Sequence, residues 1–343
     1  MSYLERVKEL KRGEIKPLYL LYGTESYLVE DITQRIIRNS LEQGEEEMNL
    51  IRLDMEETPV DLAVEEAYTF PFFGARKVVI LKNAYFLTGQ KRKEQVEHTV
   101  QKLADYAASP SEETVLIVQV PAEKPDERKK AVKLLRKHGA VLDASPLQES
   151  ELQRWMTSRV EEEGASLGQG AAQRLLELAG TNLLVLSSEL NKLAIRAGDG
   201  PIERRHVEEL TARSLEQDIF ALVDAVVKQD VTTAVRIYHD LLKQKESPLK
   251  ITALMVRQFR ILYQVKQLMQ QGYGEKMIAS RLKLHPYPVK LAARQARSFE
   301  SSYLLRILDE LAELDFRIKT GGVEEQFGVE WFLLSRNRRE AGL

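Results

Sequence analysis

Apolar residues recur along this chain in two different ways, and the change from one to the other divides it. Over residues 1–145, short apolar runs alternate with stretches of helical spacing. Leu4, Val7 and Leu10 mark a predicted helix over 2–12 that Gly13 stops. Leu18-Tyr19-Leu20-Leu21-Tyr22 reads as a buried strand ending at Gly23, and Leu28, Ile32, Ile36 and Ile37 then share one helix face. Met48-Asn49-Leu50-Ile51-Arg52-Leu53 predicts a second strand, Val78-Val79-Ile80-Leu81 a third, Val115-Leu116-Ile117-Val118 a fourth, and Val141-Leu142 a short fifth. Helical spacing fills the gaps. One helix spans 91–108, with Val96, Val100, Leu103 and Tyr106 as its stripe, and another 127–137. Strands alternating with helices predict a parallel α/β sheet.

One stretch breaks this rhythm. Thr58 has the chemistry of an N-cap, Pro59 suits a first helical position, and Asp61 falls where a capping-box acid belongs. Val60, Ala63, Val64, Ala67 and Tyr68 follow at helical spacing, and Pro71 ends the helix near Phe70. Phe70-Pro71-Phe72-Phe73-Gly74 then sets three of the chain's ten phenylalanines in a connection rather than a regular element. Two readings fit: the rings plug the core, or they form an exposed knob for a partner's pocket.

After Pro146 the strand pattern disappears. Helices are predicted over 149–163, 168–180, 182–197 and 203–212, punctuated by Gly164, Gly180 and Gly198-Asp199-Gly200-Pro201. Longer helices follow over 217–228, 231–244, 248–271, 288–297, 301–319 and 323–335. Tyr303, Leu304, Ile307, Leu308, Leu311, Leu314 and Ile318 form one stripe. Phe316 lies five residues beyond Leu311, about 140° around a helix of 3.6 residues per turn, which takes it off that stripe.

Composition narrows the function classes. At 343 residues, 43% of them hydrophobic, the chain is long enough for two or three domains. The net charge of −2 carries no global nucleic-acid signature, and the absence of cysteine excludes thiol catalysis, disulfides and cysteine metal sites. Met1-Ser2-Tyr3-Leu4-Glu5-Arg6 lacks the apolar core of a signal peptide, and no run of about 18 uncharged apolar residues exists. These features predict a cytoplasmic protein with no membrane partner. His98, His138, His206, His239 and His285 lack metal-ligand spacing, and Glu45-Glu46-Glu47 and Glu161-Glu162-Glu163 read as solvated faces. No metal, cofactor or catalytic residue is expected.

The first strand–turn–helix sits where a nucleotide-binding protein places G-x-x-x-x-G-K-[ST]. Gly23 matches the first glycine, but Leu28 replaces the second, Val29 the phosphate-binding lysine and Glu30 the magnesium-binding hydroxyl. The third strand runs into Lys82-Asn83 where a metal-holding acid belongs. This is either an ordinary strand–turn–helix or a nucleotide scaffold without its nucleotide. Neither hydrolyses ATP.

Taken in order, these pieces resemble the delta subunit of the bacterial DNA polymerase III clamp loader. The resemblance is carried by Leu20-Leu21-Tyr22-Gly23 with its broken phosphate loop and by Phe70 through Val79. Further pieces are Asp126-Glu127-Arg128-Lys129-Lys130, Gly180-Thr181-Asn182-Leu183-Leu184, Ser188 through Leu193, and Asp315-Phe316-Arg317-Ile318-Lys319. It covers essentially the whole chain. It implies an AAA+-like α/β domain with a RecA-type parallel sheet over 1–145, a small helical lid over 146–214 and a helical collar over 215–343. It also implies a subunit without ATPase activity that binds the ring-shaped sliding clamp, the beta subunit, and favours its open form. ATPase loader subunits and a delta-prime subunit would be its neighbours, and primed DNA would lie within the assembled loader. The family's clamp contact maps onto Phe72 and Phe73, with Phe70 just before; all three are aromatic, where leucine or methionine would also serve. That match favours the exposed tip. The family's DNA-facing region maps onto Phe316, Arg317 and Lys319, where Phe316 either stacks on a base or packs against a helix. Two other readings stand beside this one: an active AAA+ NTPase with an atypical phosphate loop, and a DNA-binding structural protein without a clamp partner, whose DNA affinity would be strong and salt-dependent.

Overall fold

The computed structural model describes residues 3–90 and 96–335. The chain packs as two units, Met1–Pro146 and Leu147–Leu343.

The first unit runs α1 (Tyr3–Lys11), β1 (Leu18–Tyr22), α2 (Ser26–Ser40), α3 (Glu46–Asn49), β2 (Leu50–Asp54), α4 (Val60–Tyr68), β3 (Lys77–Lys82), α5 (Val100–Ala108), β4 (Thr114–Val120), α6 (Lys130–His138) and β5 (Ala140–Asp143). The five strands form a parallel sheet in the order β2-β3-β4-β1-β5. Leu18 pairs with Leu116 and Leu50 with Val78. Every residue of β1 is buried, as expected of a parallel strand covered on both faces. Successive side chains point to opposite faces. Leu18, Leu20, Val79, Leu81, Leu116 and Val118 accordingly share one core with the apolar faces of α4, α5 and α6. The opposite face meets α2, whose Leu28, Ile32, Ile36 and Ile37 are buried. This is the expected parallel α/β arrangement, followed by helices.

Several boundaries differ from expectation, each for a local reason. Met48 and Asn49 belong to the short helix α3, so β2 starts at Leu50. Thr58 does not cap α4. Its N–H goes to the Asp54 carbonyl, Pro59 occupies the cap, and His98 Nδ1 accepts the Val60 N–H at 3.1 Å. Asp61 accepts the Thr99 N–H instead of capping its own helix. That tie holds residues 98–99 non-helical, so the expected 91–108 helix begins only at Val100; its 91–95 portion lies outside the described residues. Tyr68, expected on the apolar face, is exposed at the helix end, edge-on to Tyr106. The 127–137 helix starts late, at Lys130, because Asp126 folds back to accept the Arg128 N–H.

The second unit runs α7 (Glu149–Glu162), β6 (Ser166–Leu167), α8 (Ala171–Ala179), α9 (Leu183–Ala197), β7 (Pro201–Ile202), α10 (Arg204–Leu210), α11 (Leu215–Val227), α12 (Val231–Lys243), α13 (Pro248–Gln270), α14 (Glu275–Leu282), α15 (Pro286–Ala296), α16 (Ser301–Lys319) and α17 (Glu325–Leu334). The parallel pair β6–β7 was not expected; two residues are too few to show a period. The helix α14 was also unforeseen. Its eight residues bury only Ile278 and Ala279. On α16, Leu304, Ile307, Leu311, Leu314 and Ile318 are buried, while Tyr303 and Leu308 are half-buried. They join a core with Met255, Phe259 and Leu262 of α13. Each such side chain, fully buried, contributes about 1.5–3 kcal/mol relative to exposure.

Candidate functional site: an exposed aromatic tip

The connection from α4 to β3 projects its aromatic residues into solvent. Pro71 has no N–H and disfavours helix at the preceding residue, and α4 ends at Tyr68 with Thr69 as its C-cap. Phe70, Phe72 and Phe73 are 79%, 77% and 45% exposed. The rings of Phe72 and Phe73 meet edge to face, 5.8 Å between centroids. The core-plug alternative is therefore not what this segment does in the free chain. Exposed apolar patches of this kind mark interaction sites.

The root of the connection is polar and well bonded. Lys77, at the first position of β3, is buried. Its Nζ lies 2.8 Å from Glu66 Oε1 and also donates to Thr69 Oγ1, so it joins the last turn of α4 to the sheet. That hydrogen bond, before the opposing effect of burial, holds the Glu66 carboxyl below the usual carboxylate range. On the other side stands Asn49, the last residue of α3. Its Oδ1 accepts the Phe72 N–H at 2.9 Å and its Nδ2 donates to the Phe73 carbonyl. Gly74 turns the chain toward β3 with φ +79°, and a Cβ there would come within 2.0 Å of Glu45 Oε1. Glycine suits the left-handed backbone here, while the Glu45 side chain could swing away from a Cβ.

The residues from Gly23 to Glu30, expected as a degenerate phosphate loop, make contacts that serve the fold. At Gly23, φ is +137° and a Cβ would lie 2.2 Å from the Ala144 carbonyl oxygen, so glycine permits a close chain crossing. The Ala144 carbonyl accepts the Glu25 N–H at 2.9 Å, which engages an amide that a phosphate loop would aim at its ligand. Burial pushes the Glu25 carboxyl up. Leu28 is in the core, Val29 is half-buried, and Glu30 is exposed and accepts a bond from Gln34. After β3, the Lys82 carbonyl accepts the Met55 N–H, and Asn83, at φ +57°, donates Nδ2 to Asp54 Oδ2 at 2.9 Å. Among the described residues, no three His, Asp or Glu side chains are placed to hold a metal ion. His98 and His206 accept backbone N–H groups, His239 meets Glu330, and His285 caps α15. No helix of the described residues is long and apolar enough to cross a membrane.

On α16, Phe316 and Arg317 are exposed, while Lys319 is paired with Asp315 at 2.7 Å. Phe316 does not pack inside its domain. Sequence reasoning missed Asn49, Glu66, Thr69 and Lys77. Two of them carried a signal: Asn49 is a polar residue in an apolar run, and Lys77 a cation opening a buried strand.

Comparison with known proteins agrees with this architecture. Residues 19–145 match the family described as DNA polymerase III, delta subunit, and residues 216–336 match the DNA polymerase III delta subunit, C-terminal domain. The chain is 43% identical over 333 residues to DNA polymerase III subunit delta of Bacillus subtilis (strain 168), covering 97% of this chain and 96% of the relative. A probable DNA polymerase III subunit delta of Aquifex aeolicus (strain VF5) is 23% identical over 259 residues, or 74% of this chain and 72% of the relative. The solved structure of the Bacillus subtilis DNA clamp loader delta protein matches with a TM-score of 0.84 and 43% identity, covering 97% of this chain and 99% of that one. The chain belongs to the delta-subunit family of the DNA polymerase III clamp loader.

Proposed function

We propose that this chain is a non-catalytic loader subunit that binds the sliding clamp and favours its open ring. The observation that carries the reading is the aromatic tip, three exposed phenylalanines over a bonded polar root. Phe72 and Phe73 enter a hydrophobic pocket of the clamp, with Phe70 beside them. The ring opens only by as much as the tip prefers the open form. ATP turnover belongs to neighbouring ATPase subunits, with a delta-prime subunit completing the loader around primed DNA. Residues 146–214 act as the lid and 215–343 as the collar that joins those neighbours. A hydrophobic cluster confined to Ile219–Leu333 supports that division. Phe316 and Arg317 face the DNA.

The rival reading, an NTPase with an unusual phosphate loop, is disfavoured by the Glu25–Ala144 bond and by Leu28 in the core. The test is to mix the purified chain with its cognate sliding clamp and measure the mass of the species in solution. A complex is expected without nucleotide. Separate species at micromolar concentrations contradict the reading.

A further inference from the structure

The geometry points to Asn49 as the residue that positions the tip, a role that rests on the clamp-binding reading above. Asn49 is fully buried, yet both ends of its side-chain amide go to the backbone of the exposed segment. The carbonyl end accepts the Phe72 N–H, and the NH2 end donates to the Phe73 carbonyl. Only an amide side chain offers a neutral acceptor and donor side by side in one plane. One side chain thereby restrains the backbone of both residues whose rings stand in solvent. The same short helix contributes again from its other end, where Glu45 lies against Gly74. The residues from Glu45 to Asn49 thus form a bracket behind the tip.

The consequence is pre-organisation. Beyond their edge-to-face contact with each other, the exposed rings have little packing to hold them, so an unrestrained segment would have to be ordered on docking. Ordering the backbone of one residue weakens binding by about tenfold, equivalent to about 1.4 kcal/mol. Asn49 removes that cost beforehand.

The experiment uses the full chain carrying Asn49→Leu, which keeps the bulk and removes both bonds. Two readouts are needed: amide hydrogen exchange of the free chain, and affinity for the sliding clamp. In the free chain, Phe72 amide exchange should accelerate at least about tenfold, while the amides of Val79 and Ile80 stay protected. Clamp affinity should fall by about tenfold, and by clearly less when Phe72 is already alanine, because the two changes act on one element. Unchanged exchange at Phe72 overturns the inference, as does an equal affinity loss in both backgrounds. If Asn49→Leu does not fold, Asn49→Asp replaces it. With its carboxylate ionised, that variant keeps the acceptor and loses the donor, so at alkaline pH a several-fold affinity loss supports the role and wild-type affinity overturns it. If the unmutated chain does not bind the clamp, or Phe72→Ala binds as well as wild type, the clamp reading fails. The exchange result still decides the role of Asn49.

Discussion

The Lys77 ammonium, 2% exposed, lies 2.8 Å from a Glu66 carboxylate that is 38% exposed. The cation is withdrawn from water while its partner is partly solvated, so losing one is not equivalent to losing the other. Removing Glu66 strands a buried cation; removing Lys77 leaves a carboxylate that water can reach. Breaking a fully buried pair costs about 3–5 kcal/mol, and partial solvation reduces this. Glu66→Ala should cost about 2–4 kcal/mol, and Lys77→Met about 1 kcal/mol or less. Denaturant titration of both variants checks the order, and a costlier Lys77→Met would refute it.

The same pair sets a pH dependence. Lys77 holds the Glu66 carboxyl below its ordinary value of 4.5. The unfolded chain therefore takes up this proton first as pH falls. The contribution is fully present above about pH 4.5 and is lost as pH drops through the lower, folded value. The stability gap between wild type and Glu66→Gln should be widest near neutrality and should narrow in acid. A gap that stays constant from pH 7 to 3 would contradict the linkage.

The turn at Gly23 yields a prediction of absence and one of presence. The purified chain should show no ATP turnover above background. Gly23→Ala should destabilise the fold by more than about 2 kcal/mol, because its Cβ would strike the Ala144 carbonyl and the backbone sits at positive φ. Turnover proportional to the concentration of the chain, or a Gly23→Ala variant as stable as wild type, would contradict this account.

Most of the fold was legible because long apolar stripes such as Leu304–Ile318 and fully buried strands such as Leu18–Tyr22 announce themselves. The misplaced boundaries belong to segments held by contacts from elsewhere in the chain. His98 and Thr99 dock on the start of α4, and Asn49 turns out of an apolar run to reach Phe72. Local pattern does not name the partners in such contacts. The exposure of Phe70, Phe72 and Phe73 was legible only through the resemblance, since aromatic composition alone fits a core as well as a knob. In the polar root of the tip, Asn49 and Lys77 stood out as polar residues in apolar runs, but their partners were not legible, because Lys77 and Glu66 meet across eleven residues of chain.

Phe316 stands exposed on α16 beside Arg317. Phe316→Ala should change stability by less than about 0.5 kcal/mol. In the assembled loader it should weaken primed-DNA binding by roughly 1–3 kcal/mol, the range for stacking one base. Equal DNA affinity in a fully assembled loader would remove Phe316 from the DNA interface.

The most direct measurement pairs thermal stability with clamp affinity for the double variant Phe72→Ala, Phe73→Ala. Fully burying two exposed rings is worth up to about 3–6 kcal/mol before ordering costs, the half-covered Phe73 contributing the smaller share. Even about 3 kcal/mol is more than about 100-fold in affinity. The account predicts an unfolding midpoint close to wild type and clamp binding nearly abolished. A variant that unfolds several degrees earlier, or a stable one that binds the clamp as wild type does, would contradict it.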